Sequence, residues 1–511
     1  MGPRCSGAGC SCRRRRCRRA ARPPGRRHRR RPADAQAMTV PVPGAPVDVP
    51  APTGSRRTGG SPWVLLAIAG AAVAVVAVVG ISTSISALTV ALQAFFLLFF
   101  VRHLAFVAAA VSADARGDDS PVGADGEAYT PPVSVLVACH NEERVLDRLL
   151  GALDALEYPE GRLQLILVND HSADRTGELL EAWAARQPRA RILHRPEGSQ
   201  GGKSGALNAA LAHVTGEVVV VFDADHRPRP DVVLRLARHF ADPGVGAVQG
   251  RCRILNGGET LVSELVEIDY LGGYLVNEYG RQAVFRLPAY GGACCAVRTA
   301  SLHAAGGWNE NTVTEDTDLT LRLLLSGRRV CYDVTAVDEE EAVRTLRRYW
   351  TQRYRWARGH QQVWRDFRRA VWQSTRLAPL EKIETLMFLL VFHLPVLAVV
   401  GIGLLVAGLA GLGSMSTPVD QATSVLWTLL LLGPMLELST GLLLARSPRR
   451  KARVLLFFLP LFFVSMALCT KAWFDGILGR PYTWAKTKRS GDSDGPAGGT
   501  PSVPEPRAVT P

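Results

Sequence analysis

Two blocks of apolar sequence bracket the middle of this chain, and they restrict its fold more than any other feature. From Trp63 to Val111 the sequence is almost wholly apolar, broken by the polar patch Ser82-Thr83-Ser84. A bilayer core takes about 20 helical residues, so this length predicts two spans, near 63–82 and 87–110. The alternative is a hairpin buried in a soluble core. Runs such as Ile68-Ala69-Gly70-Ala71-Ala72-Val73-Ala74-Val75-Val76 have no polar face to turn toward water, which argues against it.

Apolar segments return at 385–412, 424–445 and 454–473. The loop from Arg446 to Arg453 carries five basic residues and is expected to face the cytoplasm. Two spans before the central region and two after it put that region on the same side. The last apolar segment fits less well. A full span would export the basic residues Lys471, Arg480, Lys486, Lys488 and Arg489, while Pro460 and the modest length allow a re-entrant or interfacial helix with a cytoplasmic tail.

The formal charge of +14 suggests nucleic acid or lipid until its location is read. Thirteen arginines and no acid fall within residues 1–31, leaving about +1 for the remainder. Residues 1–60 form a basic, Pro- and Gly-rich leader without apolar periodicity, expected to be disordered. Its first 37 residues read either as upstream sequence ahead of a start at Met38 or as an arm for RNA or anionic lipid. No nucleic-acid partner is expected of the folded part, and no cleavable signal peptide is visible. Cys5, Cys10, Cys12 and Cys17 in the leader lack the paired spacing of a zinc site. The other six cysteines sit in apolar or strand-like contexts and are expected to be buried free thiols.

After a polar linker at 112–130, residues 131–375 alternate short apolar runs with helical patterns. Runs at Val133–Ala138, Leu163–Val168, Ile192–Leu193 and Glu217–Phe222 read as strands. Stretches 142–156, 174–186 and 203–213 read as helices. Continuous apolar strands alternating with helices predict an α/β fold, a parallel sheet covered on both faces. Residues 376–475 hold two to three further membrane or re-entrant helices, and 476–511 a disordered tail.

Parallel sheets bind ligands at the C-terminal ends of their strands. Those ends carry Ala138-Cys139-His140-Asn141-Glu142-Glu143, then Asn169-Asp170-His171-Ser172, then Asp223-Ala224-Asp225. Asp170 alone is as readily a helix cap. Two aspartates one residue apart, ending a strand and followed by Pro228 and Pro230, are better explained by a divalent metal, which takes oxygen ligands and keeps substrate phosphates in its shell. The segment Gly198-Ser199-Gln200-Gly201-Gly202-Lys203-Ser204 fails as an ATPase phosphate loop, because Glu197 holds the position of its first glycine. That failure argues against a nucleotide-driven transporter. A lysine opening a helix still suits a diphosphate.

Together these residues resemble the inverting family-2 glycosyltransferases of GT-A fold, in their membrane-bound branch. Asn169-Asp170, Asp223-Ala224-Asp225, Thr314-Glu315-Asp316 and Gln352-Arg353-Tyr354-Arg355-Trp356 carry the likeness, in that order and bracketed by apolar segments. The resemblance implies a Rossmann-like, mostly parallel sheet on the cytoplasmic side of a bacterial plasma membrane. It implies that Glu142 and Asp170 contact the nucleoside and Lys203 the diphosphate. Asp223 would lie near the nucleotide, within reach of the metal, and Asp225 would be the principal ligand of Mg2+ or Mn2+. Asp316 would be the general base, while Thr314 and Glu315 shape the acceptor pocket. Gln352, Arg355 and Trp356 would serve the acceptor and the diphosphate, with Trp356 as a stacking face. The arginines around them (Arg344, Arg347, Arg348, Arg353, Arg358) also suit a helix lying on anionic headgroups.

The expected partners are a nucleotide-sugar donor, first of all a UDP-sugar, a polysaccharide or lipid acceptor, and membrane lipids. The sequence gives no sign of an oligomeric state. The first expectation is a processive polysaccharide synthase, similar to those making hyaluronan, chitin or poly-N-acetylglucosamine. The second is a single-transfer glycolipid synthase similar to the monoglucosyldiacylglycerol synthases, which share Gly306-Gly307-Trp308-Asn309-Glu310 and the Gln-x-x-Arg-Trp pattern. His140, where many relatives carry Tyr, and Tyr290-Gly291-Gly292-Ala293, in place of Phe-Phe-Cys-Gly-Ser, separate this chain from bacterial cellulose synthases.

Overall fold

The computed structural model describes residues 70–114 (except 72 and 78), 129–408, 410 and 433–480. The leader, the first seven residues of the span expected at 63–82, the linker from 115 to 128, residues 424–432 and the tail from 481 lie outside the described residues.

Eight strands form one sheet: β1 Val133–Cys139, β2 Leu163–Asp170, β3 Ala190–Arg195, β4 Val218–Asp223, β5 Arg227–Pro228, β6 Val245–Ile254, β7 Cys295–Arg298 and β8 Arg329–Glu340. Their order across the sheet is β3-β2-β1-β4-β7-β6-β8-β5. The first four arise where the alternating pattern places them, because Val-rich runs such as Val218-Val219-Val220-Val221 suit a pleated surface buried on both faces. Val133, Val135 and Val137 of β1 pack with Leu146, Leu149, Leu180 and Trp183 on one face. Leu136, Ile166 and Val219 pack with Ala206, Leu207 and Leu323 on the other. Helices Leu146–Asp154, Thr176–Ala184 and Gly202–Leu211 make the crossovers.

The sheet is mostly rather than wholly parallel. β7 runs antiparallel to both β4 and β6, and β5 antiparallel to β8. A buried strand such as Cys295-Ala296-Val297 reads the same in either direction, so periodicity carries no sign of the reversal.

Among the described residues, three helices are long and apolar enough to cross a membrane: Ile81–Ala113, Pro379–Ala407 and Arg449–Ile477. Between the sheet and the apolar helices lies Leu346–Gln373, a 28-residue helix. It buries Tyr349 and Ala357 together with Leu461, Leu468 and Ala472 of the last helix. Polar contacts continue the junction: Tyr354 donates to Asp475 Oδ2 (2.6 Å), and Gln361 Nε2 donates to the carbonyls of Phe392 (3.1 Å) and Cys469 (3.2 Å). Among the described residues the six cysteines form no disulfide; Cys331 is half-buried and the others are buried.

Candidate active site

Strand register gathers the predicted residues at one edge of the sheet. β1 sets Cys139 opposite Asn169 of β2 and Ala138 opposite Asp223 of β4, so the three strands finish together. Asp170 is buried there, accepting from Arg195 Nη1 at 2.6 Å, with His171 Nδ1 3.0 Å away. Arg195 closes β3 and also donates to the carbonyl of Gly202 (3.3 Å), which ties Asp170 to the turn that opens helix 202–211. Gly201 in that turn has φ +89°, and a Cβ there would lie 2.5 Å from Glu310 Oε2, so the turn requires glycine. Glu142 stands half-buried beyond β1, where its N–H donates to Thr176 Oγ1 at 2.8 Å.

Lys203 reaches from the first turn of this helix to Asp223 Oδ1 (2.5 Å) and to the carbonyl of Gly292 (3.0 Å), with Glu315 Oε1 3.8 Å away. Burial opposes charge on Lys203, but Asp223 and then Glu315 outweigh it and raise its pKa. Burial likewise opposes the Asp223 carboxylate, yet Lys203 and then His226 hold its pKa below the usual range.

Asp223, Asp225 and His226 bring ligand atoms within 4.8 Å of one another. Two hard carboxylates at that spacing fit a divalent cation. The loop holding them is clamped from outside. His226 Nδ1 meets Asp338 Oδ2 at 2.6 Å, and Arg148 donates to both the Asp225 carbonyl (3.2 Å) and Glu341 Oε1 (2.9 Å).

Asp316 begins the helix Glu315–Leu325 on the other side of Lys203. Its Oδ1 accepts from Thr317 N at 2.6 Å and Thr317 Oγ1 at 3.2 Å. Burial and then the neighbouring Glu315 charge push its pKa up to about 6, against the pull of the Thr317 N–H and Lys203. A Cβ on Gly292 would come within 3.1 Å of the Asp316 side chain, so the loop backbone lies directly against this carboxyl.

The 346–373 helix closes the pocket. A Cβ on Gly359 would lie 2.3 Å from Thr314 Cγ2, so the helix backbone touches Thr314. Gln352 is buried, and the Arg355 charge helps hold the pKa of Asp223 down. The Trp356 ring has the Arg353 guanidinium 4.4 Å from its centroid, and Arg353 itself pairs with Asp269. Arg344 pairs with Glu259 at 2.8 Å and Arg358 donates to the Ala472 carbonyl at 3.2 Å. Three of the five arginines of the proposed headgroup face are therefore engaged within the protein, and of the five only Arg347 is exposed.

Residues 131–359 match the family described as glycosyltransferase like family 2. The chain carries a family-2 glycosyltransferase domain. The glycosyltransferase domain and its flanks are 34% identical over 294 residues to a beta-monoglucosyldiacylglycerol synthase of Synechocystis, covering 55% of this chain and 59% of that one. They are 29% identical over 248 residues to glucomannan 4-beta-mannosyltransferase 2 of Arabidopsis thaliana, covering 47% and 46%. The chain thus spans about half the length of these relatives. The fold matches a mannosyltransferase of Pyrobaculum calidifontis, solved with GDP-mannose and Mn2+, at a TM-score of 0.55 and 21% identity, over 78% of this chain and 100% of that one.

Several residues of the glycosyltransferase domain's site escape a reading by motif. Arg195 lies beyond a strand whose visible core is only Ile192-Leu193. His226 directly follows the aspartate pair, and that adjacency was the available signal. Asp338, Glu340 and Glu341 belong to an acidic run whose partners, His226 and Arg148, are more than 100 residues away in sequence.

Proposed function

We propose that this domain transfers a sugar, with inversion, from a nucleotide-sugar to an acceptor hydroxyl, with Asp316 as general base. The observation that carries this reading is the Asp316 carboxyl, half-buried beside Lys203 and raised to about 6. A base with a pKa near the working pH is both largely ionised and able to take a proton. The carboxylate removes the acceptor proton as the acceptor oxygen attacks the anomeric carbon. The bond from that carbon to the diphosphate breaks, and the nucleoside diphosphate leaves with the electron pair. Lys203 binds the diphosphate, and Glu142 and Asp170 line the nucleoside end. Thr314 and Glu315 bound the acceptor pocket, while Gln352, Arg355 and Trp356 close it from the long helix. Asp225 and Asp223 would hold Mn2+ or Mg2+, and the Mn2+ in the mannosyltransferase of the same fold supports that choice. When bound, such an ion stabilises charge on the departing diphosphate.

For the acceptor we favour a membrane lipid such as diacylglycerol, because the match to the Synechocystis synthase is longer and closer than that to the mannosyltransferase. The latter supports a second reading, a growing polysaccharide. Three apolar helices suit a multi-pass protein of the bacterial plasma membrane, with the domain on the cytoplasmic side where nucleotide-sugars are made. The test offers labelled UDP- and GDP-sugars with Mn2+ to the full chain in diacylglycerol-containing bilayers. An organic-soluble monoglycosylated lipid is expected. A high-mass labelled polymer would select the second reading, and no transfer from any donor would sink both.

A further inference from the structure

Away from the aspartate pair lies a chain of buried and half-buried charges that nothing in the proposed mechanism uses. Glu384, on the apolar helix Pro379–Leu390, is 1% exposed and accepts from Arg102 Nε and Nη2, both at 2.8 Å. Arg102 comes from the apolar helix 81–114. The same carboxylate accepts from Arg281 Nε at 3.1 Å; Arg281 is fully buried, with its guanidinium 3.9 Å from the Phe388 ring centroid. Arg281 Nη1 pairs in turn with Glu278 Oε1 at 3.4 Å. Two guanidiniums and two carboxylates balance, so the set can stay ionised out of water. Ionisable groups held on apolar helices are expensive and usually serve a function. Glu278 and Arg281 also fall in two wide π-type turns, Gly273–Glu278 and Arg281–Phe285, a local geometry that recurs at functional sites.

The chain ends at the active-site loop. Glu278 Oε2 accepts from the N–H of Ala289 at 2.8 Å. The next N–H groups are also held: Tyr290 N by Thr320 Oγ1 at 2.9 Å, and Gly291 N by Gln249 Oε1 at 2.5 Å. Gly292 then gives its carbonyl to Lys203 and its Cα to the face of Asp316. Glu278 is therefore the link between the charges on the apolar helices and the backbone that abuts the base.

We propose that Glu278 is a positioning residue for sugar transfer, setting loop 289–292 against Asp316 through the Ala289 N–H while Arg281 and Glu384 anchor it to the apolar helices. This rests on reading Asp316 as the base. Displacing a reacting group by about 1 Å costs up to about 100-fold in rate, so loss of the anchor acts on kcat. Lys203 keeps its pairing with Asp223, so UDP affinity is spared.

The test uses the full chain in bilayers. Glu278→Asp keeps the charge for Arg281 but is one methylene too short to hold Ala289 as well. It is expected to lower kcat at least about tenfold while the Kd for UDP with Mn2+ stays within twofold. Thr320→Val removes the hydroxyl that receives Tyr290 N–H, the second anchor of the same loop, and is expected to show the same split. It carries the test if the aspartate variant does not fold. Wild-type kcat in a folded variant overturns the proposal, and so does a fall in UDP affinity that parallels kcat. Asp316→Asn assayed alongside keeps the two ideas apart: full turnover there removes the base reading, whatever the loop variants do.

Discussion

Two carboxylates about 90 residues apart in sequence divide the work proposed for this pocket, and their surroundings set them in opposite directions. Asp223 is held ionised by Lys203 and His226, whereas Asp316 is raised by burial and by Glu315. Asp316→Asn should therefore leave metal-dependent UDP binding intact while transfer falls by about 100- to 10,000-fold, the usual range for a general base. Asp225→Asn should instead weaken UDP binding in a metal-dependent way. Calorimetry beside initial rates separates the two, and more than about a tenth of wild-type turnover in Asp316→Asn, above that range, would exclude it as the base. The pH dependence follows with a definite sign. A base works as the carboxylate, so kcat/KM, which reports the free enzyme, should fall as pH drops through about 6. Glu315→Gln removes a charge that raises Asp316, so it should move that limb to lower pH. An unmoved limb would mean that another group titrates.

Among the elements, the long helix 346–373 matters most, because it faces the pocket on one side and the apolar helices on the other. Its backbone approaches the Thr314 side chain at Gly359, where a methyl group has no room. Gly359→Ala must push the helix from Thr314 or shift the start of helix 315–325, which carries the proposed base Asp316. Forcing a methyl into a packed site costs about 1–3 kcal/mol. The expected outcome is a measurable loss of thermal stability together with a lowered kcat. Normal stability and rate in this variant would show that the contact yields freely. The sequence announces the helix through its Gln-x-x-Arg-Trp pattern, but not this contact, because a glycine says nothing about which neighbour approaches it.

For the whole molecule, the last helix decides the membrane topology. The stretch Arg449–Ile477 is long enough to span. Yet Lys451 near its start pairs with Glu267 at 2.5 Å, and Asp475 near its end accepts from Tyr354 at 2.6 Å. Both partners sit on helices packed against the sheet domain, and Arg358 also donates to the Arg480 carbonyl at 2.9 Å. If these ties hold in the bilayer, the expected arrangement is a helix that lies along the domain instead of crossing away. Single cysteines at Arg450 and Arg480 should then react with a membrane-impermeant maleimide from the same side as the catalytic domain. Labelling of the two positions from opposite sides would restore the full span.

The α/β class, the first four strands and the acids at their ends were legible in the chain, for a physical reason. A strand buried on both faces must be continuously apolar, and a ligand edge must break that run with acids, so Val218–Phe222 followed by Asp223 announces both. The same one-dimensional signal left the direction of β7 open, because buried strands pair either way. It was also silent on contacts between distant segments: Arg195 with Asp170, His226 with Asp338, and Arg102 with Glu384 across 282 residues. Within its own stretch, a charge such as Arg102 looks like an interruption of an apolar run. Only the ion pair that Arg102 of helix 81–114 makes with Glu384 of helix 379–390 supplies the opposite charge that makes its burial affordable, and only the tertiary structure could decide that.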